Sequence, residues 1–457
     1  MPPFVALVLS ILLIIALLNA EQRINQDISY ATWVPFLWMF FIGTRFPSQW
    51  LDVGASMTSH DEYLEGSPVD QAVFLGLYAA AITILIRRKF SWTGIFSANL
   101  WICIFLLYGL ISISWSDYPW TAFKRFTKVL EHVAMALVIL TEPNPAQALD
   151  ALFRRFLAFS VVLSVLFFKY YPELGRAFDQ WTGQPVNVGV TADKNALGHI
   201  CLIGVVFCAS SLLSALHRNV GRHIRWKRAI DVMMLGALFW LLSVADAKTA
   251  LVCSALGIAV ILVFTRTRLG GNPNAVLMCI VAVVLLAIVL ESVFQLKEIG
   301  IEALGRNPTL TDRTFVWDDV LAVPNNALFG TGFESFWLGP RIDVLWQKYW
   351  WRPNQAHNGY IETYINLGSI GVALLLLMMA SCFVKALRSV QFKDPFGSVR
   401  VALIMAIIIF NYTDATFKAV HILYFMFFLM SLTTERAPTT SGSNPGGGFR
   451  GARQLRV

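Results

Sequence analysis

Charge is scarce in this chain. Only 14% of its 457 residues are Asp, Glu, Lys or Arg, against about 25% in a soluble domain. Hydrophobic residues reach 56% and mean hydropathy is +0.61. That balance excludes a soluble globular protein, and equally a disordered or collagen-like chain. Cysteine offers no framework either. Cys103, Cys201, Cys208, Cys253, Cys279 and Cys382 each lie inside an apolar run, with no CxxC pair and no Cys/His cluster. They read as small apolar fillers, not disulfides or zinc ligands. A Walker loop, a GxGxxG turn, HExxH and a two-metal carboxylate cluster are all missing, and Asp318-Asp319 is not a DxD site. These absences argue against an ATP-driven pump, nucleotide-sugar binding and a metal site. No internal repeat of the kind many transporters show is visible.

What remains is a succession of long apolar runs. A spanning helix needs about 20 mostly apolar residues. Strong runs are Pro3–Leu18, Val69–Ile86, Ile95–Ser114, Leu152–Tyr170, Ala196–Leu216, Ala275–Phe294, Ile370–Leu387, Val399–Phe410 and His421–Leu432. Weaker ones are Tyr30–Gly43, Phe126–Leu140, Ile230–Val244 and Ala250–Phe264. The fold class is therefore an all-α polytopic membrane protein with about 12–13 transmembrane helices, since continuous runs do not fit barrel strands. Pro3–Leu18 has no basic segment before it and no clean cleavage site after it, and reads as a retained span.

The net charge of +8 sits in short gaps between the runs, which points to membrane orientation and not to nucleic acid. Basic segments occur at Arg87-Arg88-Lys89, Arg154-Arg155, Arg218–Arg228, Arg266 with Arg268, and Lys385–Arg400. Placing all of them inside lets successive spans alternate without conflict, and leaves the outer side net acidic. The C-terminus then faces the cytoplasm. The chain divides into N-terminal spans (1–294), a large outer-face loop (295–356), C-terminal spans (357–433) and a Ser/Gly/Pro/Arg-rich disordered tail (434–457). The loop is longer than a connector and holds Trp317, Phe329, Phe333, Phe336, Trp337, Trp346, Trp350 and Trp351. A segment so aromatic is expected to pack as a subdomain, with short helices around Thr314–Val323 and Ile342–Trp350.

Ionisable residues concentrate at the outer ends of the runs. Lys194 stands at the entrance of a span, either snorkelling to the interface or meeting an anionic ligand that the helix dipole also favours. Lys248 lies in a very short turn, paired with Asp246 or placed for function. Arg313 offers a planar fork that grips phosphate oxygens two at a time. In Arg352-Pro-Asn-Gln-Ala-His357-Asn358-Gly-Tyr-Ile-Glu362, the histidine closes the aromatic loop just before a span. An imidazole there is a candidate general base. Asn358 and Glu362 fall on one helix face, where either could orient the imidazole or bind sugar hydroxyls. Arg352 completes the substrate-binding candidates.

These residues carry a resemblance. His357-Asn-Gly-Tyr-Ile-Glu, followed by Leu367-Gly-Ser-Ile-Gly371, resembles the signature of the O-antigen ligase and polymerase superfamily. So do Asp312-Arg-Thr-Phe-Val-Trp317 leading into Asn326-Ala-Leu-Phe-Gly-Thr-Gly-Phe333, Trp115-Ser116, and Lys194-Asn-Ala-Leu-Gly198. Overall the chain resembles exopolysaccharide-production polymerases within that group. The resemblance implies a glycosyltransferase of the GT-C type in the bacterial inner membrane, without metal or other cofactor. Its donor would be an oligosaccharide on undecaprenyl diphosphate, presented at the periplasmic face. It also implies membrane lipids and a chain-length regulator protein as partners. By the same likeness His357 activates the acceptor hydroxyl and Arg313 holds the diphosphate. The ligases' second arginine corresponds to Lys248, which keeps the charge and loses the bidentate fork. The competing readings are an O-antigen ligase acting on a lipid or protein acceptor, a polysaccharide transporter or flippase, and a non-enzymatic assembly protein.

Overall fold

A computed structural model describes residues 1–52, 67–178, 183–215, 222–266 and 313–434. In chain order its main helices are α1 (Pro3–Ile24), α2 (Trp33–Gly43), α3 (Pro68–Arg87), α4 (Trp92–Ala98), α5 (Leu100–Ser112), α6 (Pro119–Leu140) and α7 (Pro145–Tyr170). Then come α8 (Lys194–Ala215), α9 (Arg222–Ala245), α10 (Lys248–Arg266), α11 (Arg313–Ala322), α12 (Pro340–Lys348), α13 (Gly359–Gln391), α14 (Gly397–Thr413) and α15 (Ile422–Ser431). Proline opens α1, α3, α6, α7 and α12. There its missing N–H is one the helix leaves unbonded anyway. A short antiparallel hairpin, β1 (Arg176–Phe178) with β2 (Pro185–Asn187), precedes α8.

Seven helices among the described residues, α1, α3, α7, α8, α9, α10 and α13, are long and apolar enough to cross a membrane. The protein is thus an all-α polytopic membrane protein. α7 and α8 are mostly buried, and α15 is buried along its whole length. α1, α3, α9 and α10 are the less buried spans and leave large apolar side chains such as Phe4, Leu12, Leu75 and Val232 exposed. That surface is stable only against lipid.

Several expected spans differ. Ile95–Ser114 is not one helix: α4 and α5 meet at a 93° bend. Asn99 sits at the corner. Its amide donates to Ile95 O at 2.7 Å and Thr433 O at 2.8 Å, and its oxygen accepts from Lys385 Nζ at 2.9 Å. A side chain that claims local backbone and distant partners together breaks the helix. Val399–Phe410 and His421–Leu432 become α14 and α15, which are shorter than a span, as is α2. α6 begins before Phe126, and its first turns carry Lys124, Arg125 and Lys128. Arg154 and Arg155 are not loop residues. They lie inside α7, where Arg154 meets Asp150 at 2.7 Å and Asp231 at 2.8 Å, and Arg155 meets Glu21 at 3.0 Å. Ala275–Phe294 lies outside the described residues.

Two ends of the bundle emerge from the contacts. The starts of α7 and α9, the ends of α1, α3 and α13, and Thr433 gather at one end through Arg88–Glu142, Asn25–Asp150, Lys227–Asp150 and Asn99–Thr433. At the other end lie the starts of α8, α10, α13 and α15 and the end of α14. The part of the large loop that is described seals this second end. Its helices α11 and α12 match the expected short helices and share a small core of Val316, Val320, Phe336, Trp337, Ile342 and Leu345 with Ile365 of α13.

Candidate functional site

The loop is fastened at a break in α13. Gly368 interrupts that helix with φ +68°, and a Cβ there would stand 2.1 Å from Leu328 O. Loop backbone fills the gap. Ser369 N donates to Ala327 O at 2.9 Å, Thr331 N to Ile365 O at 3.1 Å, and Gly332 N to Asn366 O at 2.9 Å. The Asn326–Phe333 and Leu367–Gly371 motifs are therefore two sides of one joint, and glycine is required because only it tolerates that dihedral and that approach.

One turn above the joint, Glu362 is buried and accepts from Trp337 Nε1 at 2.9 Å and from Ala356 N at 3.0 Å. Asn358 is also buried and caps α13, its Oδ1 accepting from Tyr360 N and Ile361 N. The two side chains help hold the loop and the helix start. Neither turns the histidine. His357 precedes the cap in the left-handed region, φ +50°, a conformation that non-glycine residues adopt at a cost and often at functional sites. Its Nδ1 faces Asp414 Oδ1 at 3.6 Å. The orienting group comes from the end of α14, not from the helix face of His357.

Asp414 is the centre of a cluster that the sequence did not reveal. His199 Nε2 of α8 lies 3.4 Å from its Oδ2, and His421 Nε2, at the start of α15, lies 3.9 Å away. The His199 and His421 rings meet edge to face at 4.9 Å. These separations are those of groups poised to donate, not of closed hydrogen bonds. Burial alone pushes the Asp414 carboxyl up, but the N–H groups of His199 and His357 outweigh it and hold it well below the usual carboxylate range. Burial, then the neighbouring His199, pushes His421 down to about 3. Sequence reading missed these three because each looks like an isolated polar residue beside an apolar run. The available signal was a short turn, Asp414 to His421, holding an acid, Lys418 and a histidine between two such runs.

Ligand atoms of His199, Asp414 and His421 lie within 4.8 Å of one another, a spacing that could seat a metal ion. The tautomer speaks against it. His421 Nδ1 accepts from Leu423 N at 3.1 Å and caps α15. A neutral ring that accepts at Nδ1 carries its proton on Nε2, the nitrogen a metal would need.

Three of the cationic candidates stand at helix starts. Lys194 opens α8, Lys248 opens α10 and Arg313 opens α11. Each helix start adds partial positive charge to its own cation, a combination that attracts anions. A cavity of about 30 Å³ joins Asn195, Lys248, Thr413 and Asp414. Lys248 is partly exposed and pairs with Asp246 at 2.8 Å. The side chain of Arg313 lies outside the described residues. One turn on, Trp317 Nε1 donates to Ala356 O at 2.7 Å, the carbonyl just before His357. Arg352 stands apart, exposed, its guanidinium 5.5 Å over the Trp346 ring. A second small cavity, of about 40 Å³, is lined by Arg125, Glu334, Trp337, Glu362 and Lys418. Glu334 Oε1 accepts from Ala419 N at 2.6 Å and ties the loop to the Asp414–His421 turn.

The chain is similar to known proteins in two respects. Residues 229–376 match the family model described as O-antigen ligase. The chain is also 24% identical, over 344 residues, to the exopolysaccharide production protein ExoQ of Rhizobium meliloti (strain 1021), an alignment covering 70% of this chain and 72% of that relative. Asp414 and His421 lie beyond the segment matched by the family model, and His199 lies before it. The chain is thus similar to O-antigen ligases over a segment from within α9 to within α13, which carries Lys248, Arg313 and His357, and to an exopolysaccharide production protein over a longer stretch.

Proposed function

We propose that the protein is a metal-independent, GT-C-type glycosyltransferase of the bacterial inner membrane that polymerises glycan repeat units from an undecaprenyl-diphosphate-linked donor at the periplasmic face. The observation that carries this reading is the His357–Asp414 pair. The two groups lie 3.6 Å apart, at the bundle end away from the basic segments, which the Lys/Arg bias places outside.

In this mechanism Asp414 keeps the His357 proton on Nδ1. The Nε2 lone pair then takes the proton of the acceptor hydroxyl as its oxygen attacks the anomeric carbon. The glycosidic C–O bond to the donor breaks in line, and its electron pair leaves with the lipid diphosphate. Negative charge grows on that diphosphate in the transition state, where Arg313 and Lys248 stabilise it more than in the ground state. Lys194 adds to the same field. Arg352 and the exposed Trp350 offer sugar contacts, whereas Phe333, Phe336 and Trp337 are buried in packing. Membrane lipids surround the spans, and a chain-length regulator is an expected partner.

His357→Ala and Arg313→Ala, reconstituted with lipid-linked donor, are expected to insert normally and lose glycan transfer, the former by about 10²–10⁴-fold. Wild-type polymer from both would overturn the assignment. Gene deletion with glycan profiling separates the variants of the reading. Single repeats without long polymer mean a polymerase, and complete polymer left on its carrier means a ligase.

A further inference from the structure

The bundle end opposite His357 holds a cavity of about 550 Å³ that the proposed transfer does not use. The ends of α6, α13 and α15 and the starts of α7 and α14 enclose it. Its apolar wall includes Leu140, Leu149 and Leu432, and its cationic wall consists of Lys385, Arg388 and Arg400, with Asp394 as the one acid in the lining.

The cations keep capacity for a ligand. Lys385 Nζ donates to Asn99 Oδ1 at 2.9 Å and to Ala98 O at 3.3 Å, which uses two of its three donors. Arg400 spends Nη1 on Met430 O at 2.9 Å and faces Asp394 with Nε at 3.1 Å, out of five N–H groups. Arg388 is exposed, with no ion pair among the described residues. Pro145 and Ala146, in the first turn of α7, also line the cavity and add the partial positive charge of a helix start. At the rim Phe392 is 83% exposed, a side chain that belongs against acyl chains.

Two occupants are within reach. One is the chain following Thr434, which lines the cavity. That chain carries Arg436, Arg450, Arg453 and Arg456 against Glu435, so its charge matches the cavity in sign and does not complement it. The other is lipid. We propose that this cavity binds the phosphate headgroup of an anionic membrane phospholipid, with Lys385, Arg388 and Arg400 as its contacts. Basic pockets between spans at the side rich in Lys and Arg are suited to such headgroups.

The test uses the full-length protein in a neutral detergent. Its thermal unfolding is followed while phosphatidylglycerol, phosphatidylcholine or inorganic phosphate is titrated in. Phosphatidylglycerol alone should give a saturable rise in the midpoint. Arg388→Glu, at an exposed position with no ion pair among the described residues, should leave the lipid-free midpoint unchanged and weaken half-saturation roughly tenfold or more. Arg388→Gln is the milder second variant and should show a smaller loss in the same direction. Equal responses to the two lipids, or a full response to inorganic phosphate, would overturn the proposal. So would wild-type binding by both variants. Deletion of residues 435–457 should leave lipid binding nearly unchanged; a tenfold gain would make the tail the occupant and overturn it as well.

Discussion

Asp414 Oδ1 faces His357 Nδ1 across 3.6 Å, although one residue ends α14 and the other precedes α13. Gly359 N donates to Asp414 O at 3.2 Å, so the backbones are fastened at the same place. If the pair works as a unit, its members are not independent. Asp414→Asn and His357→Ala should each lower glycan transfer by roughly 10²–10⁴-fold. The double variant should be little worse than the His357→Ala single. Multiplied losses in a reconstituted transfer assay would separate the two residues.

Acid should weaken the fold through the same cluster. The His421 imidazole titrates near 6.5 when unfolded and at about 3 when folded. Between those values the unfolded chain binds more protons, so stability falls as pH drops from 6.5 towards 3. The slope from this group is at most about 1.4 kcal/mol per pH unit. Asp414, held below 3.8, acts in the same sense: its contribution is complete above 3.8 and is lost as pH falls towards its folded value. His421→Asn preserves a capping oxygen for Leu423 N and removes the titration. Thermal midpoints between pH 7 and pH 4 should therefore decline less steeply in that variant. Parallel declines would exclude His421 as a source of the slope.

Gly368→Ala places a Cβ 2.1 Å from Leu328 O at φ +68°. Strain of this kind costs about 1–3 kcal/mol. It falls on the joint that fastens the large loop, so a lowered unfolding midpoint should accompany loosened protease protection of residues 326–333. An unchanged midpoint and unchanged protection would mean that the joint relaxes freely.

Orientation has a direct check. Val344 on α12 is 60% exposed, and Arg225 on α9 is exposed at the opposite end. In intact cells an impermeant thiol reagent should label Val344→Cys and leave Arg225→Cys unlabelled. The reverse pattern would invert the proposed topology and remove the periplasmic site.

Much of the site was legible because membrane depth makes polar residues conspicuous. Lys194, Lys248 and His357 stand at the edges of apolar runs, and the structure brings them to one end. The roles of Asn358 and Glu362 were less legible. Their i, i+4 spacing suggested a shared face towards the imidazole, but Asn358 caps its own helix and Glu362 accepts from Trp337 and Ala356. Local spacing says which residues share a face, and cannot say what that face meets. Arg154 and Arg155 show the same limit. Two adjacent arginines look like a cytoplasmic loop until Asp150, Asp231 and Glu21 arrive from the same and other helices to make burial tolerable.

By itself the sequence determined that this chain folds in lipid as helices, because so few charges and so many continuous apolar runs leave no other way to satisfy the backbone. It also marked the ends of those runs where cations and His357 stand. Only the tertiary structure decided that Asp414, His199 and His421 surround one point, that Asn99 breaks a helix, and that Gly368 receives the loop. Those relations join residues from separate helices, and no pattern along one helix encodes which neighbour its end will touch.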